Sequence, residues 1–169
     1  MVKKDIRNIN AEALENFFLK QKQKKYVARQ VMEWLWKKSI TSFAEMKNIS
    51  KQNRELLDNN FSIHNIQIDD IQISQDRTIK TRFKLFDNHK IEGVLIPQNK
   101  RMTACISSQV GCSLSCKFCA TGTIDRKRNL SAGEIYDQVV HIRKQAMDNY
   151  NFSLTNIVYM GMGEPLLNY

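Results

Sequence analysis

The run Gly111-Cys-Ser-Leu-Ser-Cys-Lys-Phe-Cys-Ala-Thr-Gly122 holds Cys112, Cys116 and Cys119 in the spacing C-x3-C-x2-C. The three thiols lie on one short loop, with no fourth ligand close by in the sequence. A structural zinc site takes four protein ligands in a closed tetrahedron, whereas a reactive metal site keeps one coordination position open. Iron–sulfur clusters are held by thiolates, usually four of them. Three thiolates leave one iron without a protein ligand, so this run reads as a catalytic iron–sulfur loop. The competing readings are a zinc loop that borrows a distant His, and plain buried cysteines.

The elements around the loop define a fold class. Residues 102–108 (Met-Thr-Ala-Cys-Ile-Ser-Ser) read as a buried strand leading into it. Ser131-Ala-Gly-Glu134 is a capping box that opens a helix, whose apolar stripe is Ile135, Val139, Ile142 and Ala146. Leu154 to Met160 is an apolar strand, ended by Gly161-Met-Gly-Glu-Pro165. Strand, loop, helix and strand make a βαβ unit, which requires a parallel sheet and places the chain in the α/β class. Ligands of such sheets bind at the C-terminal ends of the strands. Glycines there let a backbone come close to a ligand, and a carboxylate can accept hydrogen bonds from an amine. Gly-rich strand ends are common; one that follows a three-cysteine loop by a single βα unit is a specific combination.

Upstream the pattern is different. Asn10 caps a helix over 10–20 with Leu14, Phe17 and Phe18 on its apolar face. A second helix is expected over 26–38, with Tyr26, Val31, Trp34, Leu35 and Trp36 contributing to a core. Ser50 caps a third over 50–59, carrying Leu56 and Leu57. Ile66, Ile68, Ile71 and Ile73 then mark a strand whose alternation Asp69-Asp70 breaks. Thr78 to Phe86 alternates cleanly, Asp87-Asn88-His89 turns, and Ile91 to Ile96 returns as a strand ending at Pro97. The expected organisation is a small helical domain over 1–60, an antiparallel meander over 61–100, and the start of a parallel unit over 101–169.

The net charge is +9. Residues 1–60 carry 13 Lys and Arg against 7 Asp and Glu, a net of +6, so the excess is concentrated at the N-terminus. A nucleic-acid partner is the natural inference, and a solvated basic face is the alternative. The N-terminus has no apolar segment of signal-peptide length, and no apolar run approaches a membrane span. Four cysteines without an export signal argue against a disulfide framework. A reducing cytoplasm, with no membrane association, is the expected location.

Two stretches extend the comparison beyond the loop: Ser107-Ser-Gln-Val-Gly-Cys-Ser-Leu-Ser-Cys-Lys-Phe-Cys-Ala-Thr-Gly122 and Tyr159-Met-Gly-Met-Gly-Glu-Pro-Leu-Leu-Asn168. With Arg128-Asn-Leu130 and Lys25-Tyr-Val-Ala-Arg-Gln-Val-Met-Glu-Trp-Leu-Trp-Lys37, the chain resembles the bacterial radical S-adenosylmethionine methyltransferases of adenosine C2 in 23S rRNA and tRNA. The resemblance runs from about residue 10 onward. It implies a [4Fe-4S] cluster on Cys112, Cys116 and Cys119, whose open iron chelates S-adenosylmethionine and whose electron cleaves it to a 5'-deoxyadenosyl radical. It implies cofactor contacts from Gly163 and Glu164, and a TIM-like barrel of which 101–169 is the beginning. Cys105 matches the family's resolving cysteine, which forms a transient disulfide with a methyl-carrying cysteine as the product leaves; Glu92 matches a carboxylate that serves as proton acceptor. Small core residue and solvent-facing strand position are the respective alternatives. The methyl-carrying cysteine has no counterpart among the four cysteines here, so the chain looks like the N-terminal half of such an enzyme and is not expected to methylate RNA alone. An electron donor such as flavodoxin, and a monomeric complete protein, follow from the same resemblance. The related adenosine-C8 rRNA methyltransferase, and a non-catalytic RNA-binding metal module, are the other readings.

Overall fold

The first unit begins with a two-residue strand, β1 (Lys4–Asp5), and a 3-10 turn. Asn10 then accepts a hydrogen bond from the Ala13 N–H at 2.8 Å and starts helix α1 (Ala11–Lys20). Such a cap satisfies an N–H that no helical carbonyl can reach. Helix α2 (Tyr26–Lys37) has no side-chain cap. Helix α3 (Lys51–Asn60) starts at Ser50, whose hydroxyl accepts from the Asn53 N–H. Leu14, Phe18, Val27, Val31, Leu35 and Leu57 form the core between these helices. Trp34 and Trp36 pack against that core only in part, and Tyr26, expected within it, is 57% exposed. Tyr26 is the first residue of α2, and the buried stripe of that helix starts one residue later, at Val27.

A feature the sequence did not disclose closes this unit. Strand β2 (Phe61–Ser62) pairs in parallel with β1. The buried ion pair Arg7–Asp5 (3.2 Å) holds the corner, with Arg7 donating to the His64 carbonyl. In this computed structural model, which describes residues 3–168, the first compact unit ends at His64 and the second begins at Asn65.

The second unit is built on strands β3 (Gln67–Ile73), β4 (Ile79–Lys84), β5 (Lys90–Gln98) and β6 (Arg101–Cys105), each antiparallel to the one before it. The hairpin β7 (Gln109–Val110) with β8 (Arg128–Asn129) follows, then helix α4 (Ala132–Tyr150) and strand β9 (Asn156–Val158). β9 pairs in parallel with β6, giving one sheet in the order β3-β4-β5-β6-β9. The βαβ unit expected from the sequence is therefore β6-α4-β9. Ser131 and Glu134 form the capping box of α4. Ile142 and Ala146 pack with Ile79, Phe83, Leu95 and Ala104 on one face of the sheet.

Three expectations need correcting. The meander and the parallel unit are not separated near residue 100, because β6 pairs with β5 along one edge and β9 along the other. An open edge there would leave a row of unpaired backbone groups. Strand β5 does not end at Pro97; it runs to Gln98, with Pro97 opposite Met102 near the strand's end, where a missing N–H is tolerated. The last strand is only Asn156–Val158, shorter than the apolar run that suggested it. The break in alternation at Asp69-Asp70 of β3, by contrast, is a β-bulge: the β3–β4 register shifts between Ile68 and Asp70. Among the described residues no helix is long and apolar enough to cross a membrane.

Candidate functional site

The cysteine loop, residues 111–127, is an excursion between the two strands of the β7–β8 hairpin. Gly111 enters it at φ +73°, and a Cβ there would lie 2.2 Å from the Asp125 carbonyl oxygen. Only glycine combines that backbone conformation with that approach. Across the loop, Cys112 N–H donates to the Ile124 carbonyl (3.1 Å) and Lys127 N–H to the Val110 carbonyl (2.8 Å). At its tip, Cys119 N–H donates to the Cys116 carbonyl (3.0 Å) and Gly122 N–H to the Cys119 carbonyl (3.0 Å). Cys112, Cys116 and Cys119 are free and partly exposed. Among the described residues no three His, Cys, Asp or Glu side chains are gathered in metal-ligating positions. The fold thus places the three thiols on one braced loop without closing them around a point; ligation itself supplies the attraction that closes such a set.

The Gly161–Pro165 segment lies against the residues that lead into this loop. Gly161 N–H donates to the Ile106 carbonyl (3.0 Å), and Met162 N–H to Ser107 Oγ (2.8 Å). Ser108 and Gln109 N–H groups both donate to the Met162 carbonyl. Gly163 has φ +93°, and a Cβ on it would come within 2.5 Å of Gln109 Cβ. Glu164 caps the 3-10 turn Pro165–Leu167, its Oε1 accepting from the Leu166 N–H at 2.9 Å.

One buried side chain joins the two motifs. Gln109 Oε1 accepts the Glu164 N–H (3.0 Å), while Gln109 Nε2 donates to Asn129 Oδ1 (2.8 Å). Asn129 Nδ2 in turn donates to the Leu167 carbonyl. Ser107 is held from behind by Gln138 of α4, whose amide spans both its N–H (2.8 Å) and its carbonyl (3.1 Å). Ser107, Gln109 and Gln138 are fully buried. Buried polar groups of this kind must be hydrogen-bonded, so they specify one arrangement. Sequence reasoning gave none of them a role. The signal was present, in a polar Ser-Ser-Gln run between an apolar strand and the cysteines.

Arg128 braces the far side of the hairpin. Its guanidinium donates bidentately to Glu134 (2.8 Å twice) and through Nε to Asp87 (2.6 Å). Glu134 also accepts the Ser131 N–H. Burial alone would push the Asp87 carboxyl up, but the Arg128 hydrogen bond and charge outweigh it and hold the group below the usual carboxylate range. The same partners raise Arg128, which stays charged.

Glu92 and Cys105 share a sheet face. Cys105 is opposite Val94, and Glu92 lies two residues from Val94 on β5, so alternation puts both on one side. Glu92 pairs with Lys80 at 3.0 Å, both side chains half exposed. Cys105 is buried and in no disulfide. Burial pushes its thiol up, against a weaker downward pull from a hydrogen bond to the Met160 backbone. Because the thiolate is the reactive form, iodoacetamide at neutral pH should modify the three loop cysteines on the order of tenfold faster than Cys105. Peptide mass spectrometry over a time course reads this directly, and equal rates would show that Cys105 is not a buried, poorly ionised thiol.

Residues 4–63 match the family described as the ribosomal RNA large subunit methyltransferase N-terminal domain. Over 99% of its length the chain is 61% identical to the probable dual-specificity RNA methyltransferase RlmN of Cytophaga hutchinsonii, covering 46% of that protein. It is 42% identical, over 97% of its length, to the dual-specificity RNA methyltransferase RlmN of Geobacter sulfurreducens, covering 44% of it. A solved radical SAM methyltransferase from Sphaerobacter thermophilus superposes with a TM-score of 0.82 at 35% identity, over 98% of this chain and 49% of that one. The chain spans about half the length of the curated relatives it matches.

Proposed function

We propose that this chain, which matches the N-terminal half of the RlmN methyltransferases along nearly its whole length, supplies the RNA-docking domain and the cofactor-binding start of a radical S-adenosylmethionine enzyme that methylates C2 of adenosine in 23S rRNA and tRNA. The observation that carries this reading is the joint at Ser107–Gln109, where the residues that lead into the cysteine loop are bonded to the Gly-Glu-Pro segment and, through Gln109, to Asn129 on the strand that leaves the loop, at the C-terminal ends of β6 and β9. Parallel strands present their ligands at that end.

The residues suit the groups they would hold. Three free, partly exposed thiols on one loop would be the donor set of a cluster with an open iron. The Ser108 hydroxyl, in the joint that leads into the loop, is buried without a hydrogen-bond partner, so the joint has polar capacity to spare. Cys112, Cys116 and Cys119 would hold a [4Fe-4S] cluster, which when bound supplies the electron that cleaves S-adenosylmethionine. Gly163, whose positive φ and close packing on Gln109 suit only glycine, would present its backbone to the cofactor's amine. Glu164 has one carboxylate oxygen committed to its own turn, which fixes the other for an incoming ammonium. Glu92 would accept a proton on the face it shares with Cys105, and its ion pair with Lys80 at 3.0 Å orients that carboxylate. Cys105, with its thiol largely protonated until a partner cysteine approaches, would act late, in disulfide formation with a methyl-carrying cysteine. A flavodoxin-like donor, a cytoplasmic location and a monomeric complete enzyme accompany this proposal.

The test is electron paramagnetic resonance of the anaerobically iron- and sulfide-loaded, reduced protein. S-adenosylmethionine should change the spectrum, and Glu164→Ala should weaken that response; a spectrum indifferent to the cofactor would remove the radical assignment. The base position is read separately. Disrupting the gene should eliminate 2-methyladenosine from 23S rRNA and tRNA, whereas loss of 8-methyladenosine would assign the chain to the C8 enzymes.

A further inference from the structure

We propose that Gln109, set by Asn129, is the positioning residue of the ammonium subsite: it fixes the Gly163–Glu164 backbone, and with it the Glu164 carboxylate, for the cofactor's amine. The inference rests on the radical S-adenosylmethionine reading above and adds to it the side chains through which Glu164 is held.

Gln109 and Asn129 are directly opposed in the β7–β8 pairing, one on each stem of the cysteine loop. Their side chains bond to each other, Gln109 Nε2 donating to Asn129 Oδ1 at 2.8 Å. Each then takes one end of the same short turn. Gln109 Oε1 accepts the Glu164 N–H (3.0 Å) at its start, and Asn129 Nδ2 donates to the Leu167 carbonyl (3.0 Å) at its end. Asn168 returns the contact just beyond the turn. Its Nδ2 donates to the carbonyls of Ser108 (2.8 Å) and Leu130 (3.0 Å), the chain neighbours of the opposed pair. The two stems therefore clasp the turn at both ends.

Gln109 also sets the height of the backbone above it. A Cβ on Gly163 would meet three Gln109 atoms, Cβ, Cγ and the backbone nitrogen, all within 2.8 Å. Gln109 is fully buried, so its amide cannot exchange these partners for water. An apolar residue of similar length would strand the Glu164 N–H and break the link to Asn129. Glu164 Oε1 is bound to the Leu166 N–H of this same turn, so whatever fixes the turn fixes the carboxylate. A group held in its binding orientation before the ligand arrives binds it more tightly.

Equilibrium dialysis of radiolabelled S-adenosylmethionine against the anaerobically iron- and sulfide-loaded, unreduced chain tests the assignment. Gln109→Met should bind the cofactor about tenfold more weakly, the order expected when a hydrogen bond that orders a binding group is lost. Its iron content per chain should match the parent's. In a Glu164→Ala background the same change should add no further loss, because a residue that acts only through Glu164 has nothing left to position. Asn129 is partly exposed, and Asn129→Ala leaves Gln109 in place but unset. It should weaken binding about threefold, again only while Glu164 is present. If Gln109→Met folds poorly by circular dichroism, Asn129→Ala decides alone. Unchanged affinity in the variants, or losses that add to that of Glu164→Ala, would overturn the positioning role and leave the cofactor reading standing. Iron lost in step with affinity would also overturn it, since the pair would then only brace the loop. If the loaded parent binds no S-adenosylmethionine, the reading beneath falls as well.

Discussion

Replacing any one of Cys112, Cys116 or Cys119 with alanine should abolish the broad visible absorption of the anaerobically loaded protein, while Cys105→Ala should retain it. The loop offers three thiols and no nearby substitute: among the described residues no further His, Cys, Asp or Glu completes a ligand set. A cluster already short of one protein ligand has none to lose. Cys105 lies on β6, in the sheet and not on the hairpin excursion, with its thiol buried. It is therefore placed for chemistry away from the loop. Iron and sulfide content per chain gives a second readout, expected near four of each in the parent and in Cys105→Ala. Full retention of colour and iron in all three loop variants would sink the cluster assignment. Zinc bound at one equivalent in place of iron would instead support the structural-zinc alternative.

The second large effect concerns Arg128. Its guanidinium is shared by Glu134, which is 1% exposed, and by Asp87, so removing it strands two carboxylates that it now neutralises. Breaking a buried pair from one side costs about 3–5 kcal/mol. Arg128→Met should lower the urea midpoint accordingly, and Arg128→Met/Glu134→Gln should cost less than the sum of the two single changes, because the stranded charge is removed with its partner. Acid sensitivity follows from Asp87. Its carboxyl is depressed in the folded state, so its contribution is fully present above the ordinary carboxylate value of about 3.9 and is lost as pH falls through the lower native value. In Arg128→Met that carboxyl has lost its cation, so this part of the acid transition should move to higher pH. An Arg128→Met protein as stable as the parent, with an unchanged acid limb, would show that the clamp is solvated and incidental.

The cost at Arg128 bears on function because the clamp and the Gln109 joint hold opposite sides of one hairpin. Asp87 reaches Arg128 from the β4–β5 turn, and Glu134 does so from the start of α4. Gln109 reaches Glu164 beyond β9. The loop that carries the three cysteines is thereby referenced to every layer of the second unit. Bracing of this kind is what keeps the cysteine loop and the Gly161–Pro165 segment in a constant relative position.

Where local chemistry decides, the sequence was sufficient. Asn10, Ser50 and Ser131 start their helices because each side chain meets a backbone N–H three residues on. The alternation of Ile79, Thr81, Phe83 and Leu85 marks the buried face of β4, and the doubled aspartate marks the bulge in β3. The order strand, cysteine loop, helix, strand is enough to require a parallel pairing, which β6 and β9 make. Tertiary structure alone decided that β6 belongs to the meander and the parallel unit at once, that the first unit is closed by a parallel pair, and that Tyr26 stands outside the core. It also decided that Ser107, Gln109 and Gln138 form the joint between the motifs. These depend on partners far apart in the chain: Gln138 meets Ser107 across 31 residues, and Gln109 meets Glu164 across 55. A buried glutamine has no period and no spacing to announce it; its partners exist only after the chain has brought distant backbone groups into a place without water.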